Sequence, residues 1–183
     1  PFPNLYTLPC DPACGSVLSA DSDECGSGTT INSSAVIASP LDISLYSQVD
    51  LEFDQDFNDF GGPDEGYVEV SNDGGTTWNN LGDQNDTTGT NWAPSAVSTA
   101  FGWSGNSAGW VQSSIDLSFL NFNPFETQFR FVFYSNTVGT NGDGWAIDNF
   151  EIIIPQADID AGVVEIVSPA GTLTPGVQEQ ITV

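Results

Sequence analysis

Carboxylates are the side chains of this sequence with the widest scope for chemistry. The chain of 183 residues contains 25 Asp and Glu residues, one basic residue, Arg130, and no His, so its formal net charge is −24. Such a charge repels nucleic-acid phosphates and anionic membranes, and we expect neither nucleic-acid binding nor membrane insertion. Calcium takes hard oxygen ligands of this kind and would offset the repulsion. The alternative interpretation is a solvated acidic surface.

Most catalytic arrangements are disfavoured by composition. Without His, neither a His-dependent nucleophilic triad nor a His-ligated zinc site can form. Paired carboxylates can hydrolyse glycosides, but no pattern distinguishes one pair among so many acids. We therefore predict that the chain is not an enzyme.

One hairpin motif and the single cation are interpreted as structural. Ser71-x-Asp73-x-Gly75-x-Thr77-Trp78 matches the Asp-box hairpin found in sialidases, where the Asp ties together the amides of a turn. A sialidase would need several arginines for its carboxylate substrate. Arg130 alternates with Phe129 and Phe131, and we predict that it pairs with a partly buried carboxylate.

Two groups of acids are candidate calcium ligands. Asp148 follows the apolar triplet Trp145-Ala146-Ile147, where alternation is expected to place it opposite Ala146 or toward the core side, and an unpaired carboxylate there would be costly. Asp143 lies in a Gly-rich turn, and the alternating pair Asp21 and Asp23 could supply further oxygens. The second candidate group follows the strand on which Glu52, Asp54 and Asp56 share one face, and it consists of Asp59, Asp64 and Glu65.

Three cysteines, Cys10, Cys14 and Cys25, lie close together in a loop-rich stretch. This clustering predicts one local disulfide and an oxidising, extracellular compartment. The pairing stays open because the count is odd, and a three-thiolate metal site is the alternative.

Short alternating segments predict an all-β fold. Val49 to Phe57 places apolar and acidic residues on opposite faces, and a hairpin is predicted around Asn72-Asp73-Gly74-Gly75. Further strands are expected at 110–117, 127–134 and 145–154, and no segment has helical spacing. This pattern indicates a two-sheet jelly-roll β-sandwich. Between Gly82 and Gly109, a predicted binding loop carries three aromatic residues that could stack on sugars or could belong to the core: Trp92, Phe101 and Trp103.

We divide the chain into three parts. Residues 1–34 are expected to be an irregular, Cys-containing segment packed on the sandwich, and residues 35–155 the jelly roll. Residues 156–183 contain two strand-like runs, too few for a sandwich. They are interpreted as the start of a following immunoglobulin-like repeat, or as an arm that completes the sheet of a neighbour.

An ordered set of motifs resembles the MAM-like, cleaved-adhesin type of jelly roll found in large secreted bacterial surface proteins, including type IX secretion substrates and gliding adhesins. The motifs cover roughly residues 35–154 and are Ser39-Pro40-Leu41-Asp42-Ile43, Val49-Asp50-Leu51-Glu52-Phe53, the run from Gly66 to Trp78, Ile115-Asp116-Leu117-Ser118, Phe129-Arg130-Phe131 and the run from Gly144 to Ile152.

The resemblance implies a secreted or cell-surface adhesion module with structural calcium, in which Asp148 is a ligand. Its implied partners are neighbouring domains of the same polypeptide or filament, and surface glycans. The alternatives are a carbohydrate-binding module of a secreted hydrolase, or a filament subunit assembled by strand donation.

Overall fold

The computed structural model describes residues 17–21, 29–43, 46, 48–58, 64–86, 88–96, 101–118, 126–136 and 142–154. Within these residues the regular secondary structure consists of β-strands, and no α-helix occurs. In chain order the strands are β1 (Leu18–Ala20), β2 (Ile31–Val36), β3 (Asp50–Asn58), β4 (Glu65–Ser71), β5 (Asn79–Asn80), β6 (Ser95–Ala96), β7 (Phe101–Gly102), β8 (Val111–Asp116), β9 (Gln128–Ser135) and β10 (Gly144–Ile153).

Two four-stranded antiparallel sheets pack face to face. Sheet A has the order β1-β10-β3-β8 and sheet B the order β2-β9-β4-β5, while β6 and β7 form a separate small ribbon. Strands β1 to β4 alternate between the sheets, β5 returns beside β4 as a hairpin, and β8 to β10 alternate again. This connectivity is that of a jelly roll, and it confirms the predicted all-β sandwich.

Strand β3 illustrates how the sequence pattern sets the layers. Its residues alternate between buried and half-buried, with Leu51, Phe53 and Phe57 in the core. Gln55 also points inward, although it is polar. Its amide accepts a hydrogen bond from Trp145 Nε1 at 2.8 Å and donates one to Ser113 Oγ at 2.6 Å. Because both ends of the amide are bonded, the fully buried Gln55 is accommodated without an orphaned polar atom.

Aromatic rings fill the centre of the sandwich. The Phe53 ring lies edge-on to four others, with centroid separations between 5.1 and 6.5 Å, and these belong to Trp92, Trp103, Phe131 and Trp145. Such edge-to-face contacts add to the free energy of burial. Beside this cluster, Gly66 of β4 leaves room for Trp145, since a Cβ there would lie 2.7 Å from Trp145 Cε3.

The N-terminal part of the sandwich begins earlier in the chain than the sequence indicated. Strands β1 and β2 lie within or across the segment 1–34 that was expected to be irregular, and each forms the edge of a sheet. Asn32, Ser33 and Ser34 occupy half of β2, so apolar alternation is absent there. The three cysteines, the predicted arm at 156–183 and Asp23 lie outside the described residues.

Replacing Phe53 by Ala should destabilise the fold by about 3–5 kcal/mol, because the residue contacts rings from both sheets and from the 82–109 connection. Urea denaturation monitored by Trp fluorescence measures the change. The control is Ile153→Ala, whose side chain is 37% exposed and whose loss should amount to under about 1 kcal/mol. Equal losses for both variants would contradict this account of the core.

Candidate functional site

The face of sheet A turned away from sheet B is strongly acidic. Trp145 and Ile147 of β10 point into the core, so the intervening positions and their cross-strand partners point outward. Carboxylates occupy this outer face on three adjacent strands, and they belong to Asp50, Glu52, Asp54, Asp56, Asp116, Asp148 and Glu151. We call these seven residues the acidic face.

Three pairs of like charge stand directly opposite one another on the acidic face. Asp54 is opposite Asp148, Glu52 is opposite Glu151, and Asp50 is opposite Asp116. Directly opposed side chains in antiparallel strands have Cβ atoms about 4.5–5.5 Å apart, and like charges at that distance destabilise a sheet. The only basic residue of the chain lies in sheet B and cannot relieve this repulsion.

Asp148 lies on the acidic face, on the same side of β10 as Ala146, and is half-buried. Its expected position toward the core is therefore wrong, because Trp145 and Ile147 fill the inner side. After Asp148 the register shifts, and Asn149 adopts a positive φ of 49°. The Asn149 amide N–H donates to Asp148 Oδ1 at 2.8 Å, while its side chain donates to Asp54 Oδ2 at 2.8 Å.

Asp143 and Asp21 lie at the start of β10, whereas Asp148 lies in the middle of that strand. Asn58 donates a hydrogen bond to Asp143 Oδ2 at 2.7 Å. Asp21 lies beside Gly144, where an added Cβ would be 3.1 Å from Asp21 Cα. Asp143 and Asp148 are separated by five residues at about 3.4 Å each along a strand, roughly 17 Å.

The four-residue calcium site stays a prediction, since Asp23 lies outside the described residues, but the structure holds Asp143 and Asp148 apart. One ion with ligand distances of about 2.3–2.6 Å cannot bind both Asp143 and Asp148. Among the residues that the structure describes, no three Asp, Glu, Cys or His side chains converge in a manner suited to a metal. Asp143 and Asp148 are close in sequence but distant in space because β10 is extended.

Asp64, from the second candidate group, has an unusual environment. The side chain is 2% exposed, and its Oδ2 atom is buried with no hydrogen-bond partner among the described residues. Glu65 beside it is also buried, while Asp59 lies outside the described residues. Burying a carboxylate oxygen without a partner is expensive, so Asp64 is the acid whose position most needs an explanation.

The two tryptophans of the predicted binding loop belong to the core. Trp92 and Trp103 are only 5% and 6% exposed, and Phe101 packs partly buried against the same cluster. Their indole N–H groups donate to main-chain oxygens, Trp92 to Leu81 at 2.8 Å and Trp103 to Asn91 at 2.9 Å. Neither tryptophan offers a ring face to a sugar, which corrects that expectation. The sequence did not distinguish stacking on a sugar from packing in the core, because large aromatic residues in a Gly-rich connection are compatible with both roles.

A cleft that the sequence did not indicate opens between edge strands β1 and β2. Its volume is about 240 Å³. Phe131, Phe133, Trp145 and Ile147 form an apolar floor, and the serines of the two strands line it as well. The cleft forms because two short edge strands from different sheets flank the same gap, a relation that only the pairing of strands defines.

The cation and the hairpin both have structural roles, as predicted. Arg130 forms an ion pair with Glu69, its cross-strand neighbour, and its guanidinium carbon lies 4.4 Å from the centre of the Trp78 ring. In the turn, Asp73 Oδ1 accepts hydrogen bonds from the main-chain N–H groups of Thr76 and Thr77 at 2.9 and 2.8 Å. The hydrogen bond from the Thr77 hydroxyl to Asp73 has the largest effect. Together with the main-chain hydrogen bonds, it lowers the pKa of Asp73 from 3.8 to about 2.

A scan of the chain against protein-family models and a search of curated proteins both returned no match. The resemblance to MAM-like modules therefore remains a prediction. Within the described residues there is no helix with the length and apolar character required to cross a bilayer.

Asp73→Asn should weaken the fold at neutral pH, and its disadvantage should fade in acid. The pKa of Asp73 is lowered in the folded state, so its stabilising effect is present above 3.8 and is lost as the pH falls toward about 2. Urea unfolding of both proteins at a series of pH values measures the difference. A gap that stays constant down to pH ~2 would show that the ionised Asp73 does not support the turn.

Proposed function

We propose that the chain is a non-enzymatic, calcium-stabilised extracellular module that serves adhesion within a larger surface protein. The jelly-roll strand order agrees with the resemblance to MAM-like modules. Burial of Trp92 and Trp103 weighs against the alternative of a carbohydrate-binding module, since such modules need exposed rings for stacking. Within this proposal, the arrangement of carboxylates in sheet A bears most directly on calcium binding.

The observation that carries the calcium proposal is the set of three like-charge pairs on the acidic face. Each opposed pair destabilises the sheet by roughly 0.2–1 kcal/mol. The chain supplies a single cation, and Arg130 is committed to Glu69 in the other sheet. A medium that contains divalent cations relieves this repulsion locally, because calcium is bound by carboxylate oxygens.

Calcium should raise the melting temperature of the protein. A single site at a calcium concentration of one hundred times Kd stabilises the folded state by about 2.7 kcal/mol, which corresponds to roughly 5–10 °C for a domain of this size. Differential scanning calorimetry in EDTA and in CaCl₂ measures the shift. The control is NaCl at equal ionic strength, which screens exposed charges without binding them. An equal shift in NaCl would leave only the solvated acidic surface as the interpretation.

Assembly by strand donation is the second candidate, and the edge of sheet A favours it. Strand β1 pairs with only three residues of β10, from Trp145 to Ile147. Within the described part of the chain, no strand is paired with the same edge of β10 from Asp148 to Ile153. An open strand edge is a template for an extended segment from another molecule.

Strand donation predicts assembly that depends on protein concentration. Sedimentation velocity should then detect species larger than a monomer, and their fraction should rise with concentration. Ile152→Pro is a suitable probe, since proline removes an N–H and disfavours a paired strand position; Ile153→Ala serves as the control at the neighbouring exposed position. A monomer throughout the concentration range would contradict this candidate.

A further inference from the structure

We propose that Asp64 binds a hard divalent cation between the two sheets, at the start of β4. The inference rests on the proposed calcium function and locates a site for it away from the acidic face. Three observations support this site. The Asp64 side chain is buried, its Oδ2 atom has no hydrogen-bond partner among the described residues, and its position before β4 directs it between the sheets.

Alternation along β4 directs Asp64 toward the interior. Val68 and Val70 belong to the core, and Gly66 faces Phe57 and Trp145 of sheet A, since a Cβ on it would lie 2.9 and 2.7 Å from their rings. Asp64 precedes Gly66 by two residues and therefore shares its inward face. The carboxylate thus lies next to the aromatic layer, at the end of the space between the sheets.

Both neighbours of β4 help to enclose this end. Glu65 is paired with Tyr134 of β9, and continuing the register places Asp64 opposite Ser135, which is itself buried and on the same side as the core residue Phe133. On the other side, Gly66 and Trp103 exchange two main-chain hydrogen bonds of 2.9 and 2.7 Å. Solvent is therefore excluded from two sides of the Asp64 carboxylate.

A cation is the partner that fits this chemistry. An ionised carboxylate removed from water requires an opposite charge or several hydrogen-bond donors. Arg130 is the only basic residue of the chain, and it pairs with Glu69 on the outer side of sheet B. Calcium accepts a mixed set of carboxylate, hydroxyl and carbonyl oxygens with flexible geometry, so one acid with neutral oxygen neighbours such as Ser135 Oγ is a suitable core for a site.

Asp64→Asn separates a cation ligand from a residue with a purely structural role. Without calcium, the variant should melt several degrees above the wild type, because it removes a buried charge without changing the shape of the side chain. In saturating calcium the order should reverse, since only the wild type gains binding free energy. The control Glu126→Gln removes one exposed charge outside the acidic face and should keep the calcium response of the wild type.

Terbium luminescence measures binding independently of stability. Tb³⁺ replaces Ca²⁺ at oxygen sites and emits when a nearby Trp is excited, and Trp145 lies against Gly66, two residues from Asp64. We expect sensitised emission from the wild type and from Glu126→Gln, with displacement by Ca²⁺. Asp64→Asn should lose this emission. If that variant does not fold, Asp64→Glu takes its place, with an expected loss of at least about tenfold in Tb³⁺ affinity.

The outcomes distinguish the site from the broader function. Retention of the calcium shift and the terbium signal by Asp64→Asn, or unchanged affinity in Asp64→Glu, would overturn the assignment of Asp64 and leave calcium stabilisation in place. An Asp64→Asn variant that is more stable than the wild type both with and without calcium would also overturn it. Absence of any calcium-specific shift and of terbium emission in the wild type would overturn both proposals.

Discussion

Burial of aromatic rings between two sheets is the interaction on which this structure depends. Phe53 lies at the centre of that layer, in contact with rings from β9, β10 and the connection between β5 and β8. The hydrophobic free energy of this core must exceed the self-repulsion of a chain with a net charge of −24. The tryptophans of the 82–109 connection are therefore used for packing rather than for stacking on a ligand.

The charge that the core must overcome is distributed unevenly. Most of the described carboxylates lie on the acidic face or in turns, where water reduces their mutual repulsion. The Asp73 carboxylate is satisfied by hydrogen bonds within its own turn, and Glu69 by the single cation. Asp64 is different, because its buried oxygen has none of these partners. The described acids therefore include solvated ones, ones satisfied by hydrogen bonds or an ion pair, and one, Asp64, with a buried oxygen that has no hydrogen-bond partner among the described residues.

Local patterns were sufficient for the long strands and for the hairpin. The alternation from Val49 to Phe57 predicted β3 and its inward residues, and the Asn-Asp-Gly-Gly turn predicted the hairpin of β4 and β5. Strand β1 was missed because three residues are too few to show a period, and β2 because Asn32, Ser33 and Ser34 interrupt apolar alternation. Among the metal candidates, Asp143 and Asp148 were grouped because they are close in sequence, whereas an extended strand holds them apart.

The composition and the two-residue alternation of the sequence by themselves determined that this protein is an acidic, all-β sandwich with one basic residue for ion pairing. Both are properties that can be read from the sequence without knowledge of contacts between distant residues. Only the tertiary structure decided which acids face each other, which aromatics are enclosed and which carboxylate is left without a partner. Those outcomes depend on the pairing of β10 with β3 and of β4 with β9, strands far apart in the chain. Register between distant strands is set by the packing of the whole core, and no short stretch of sequence contains it.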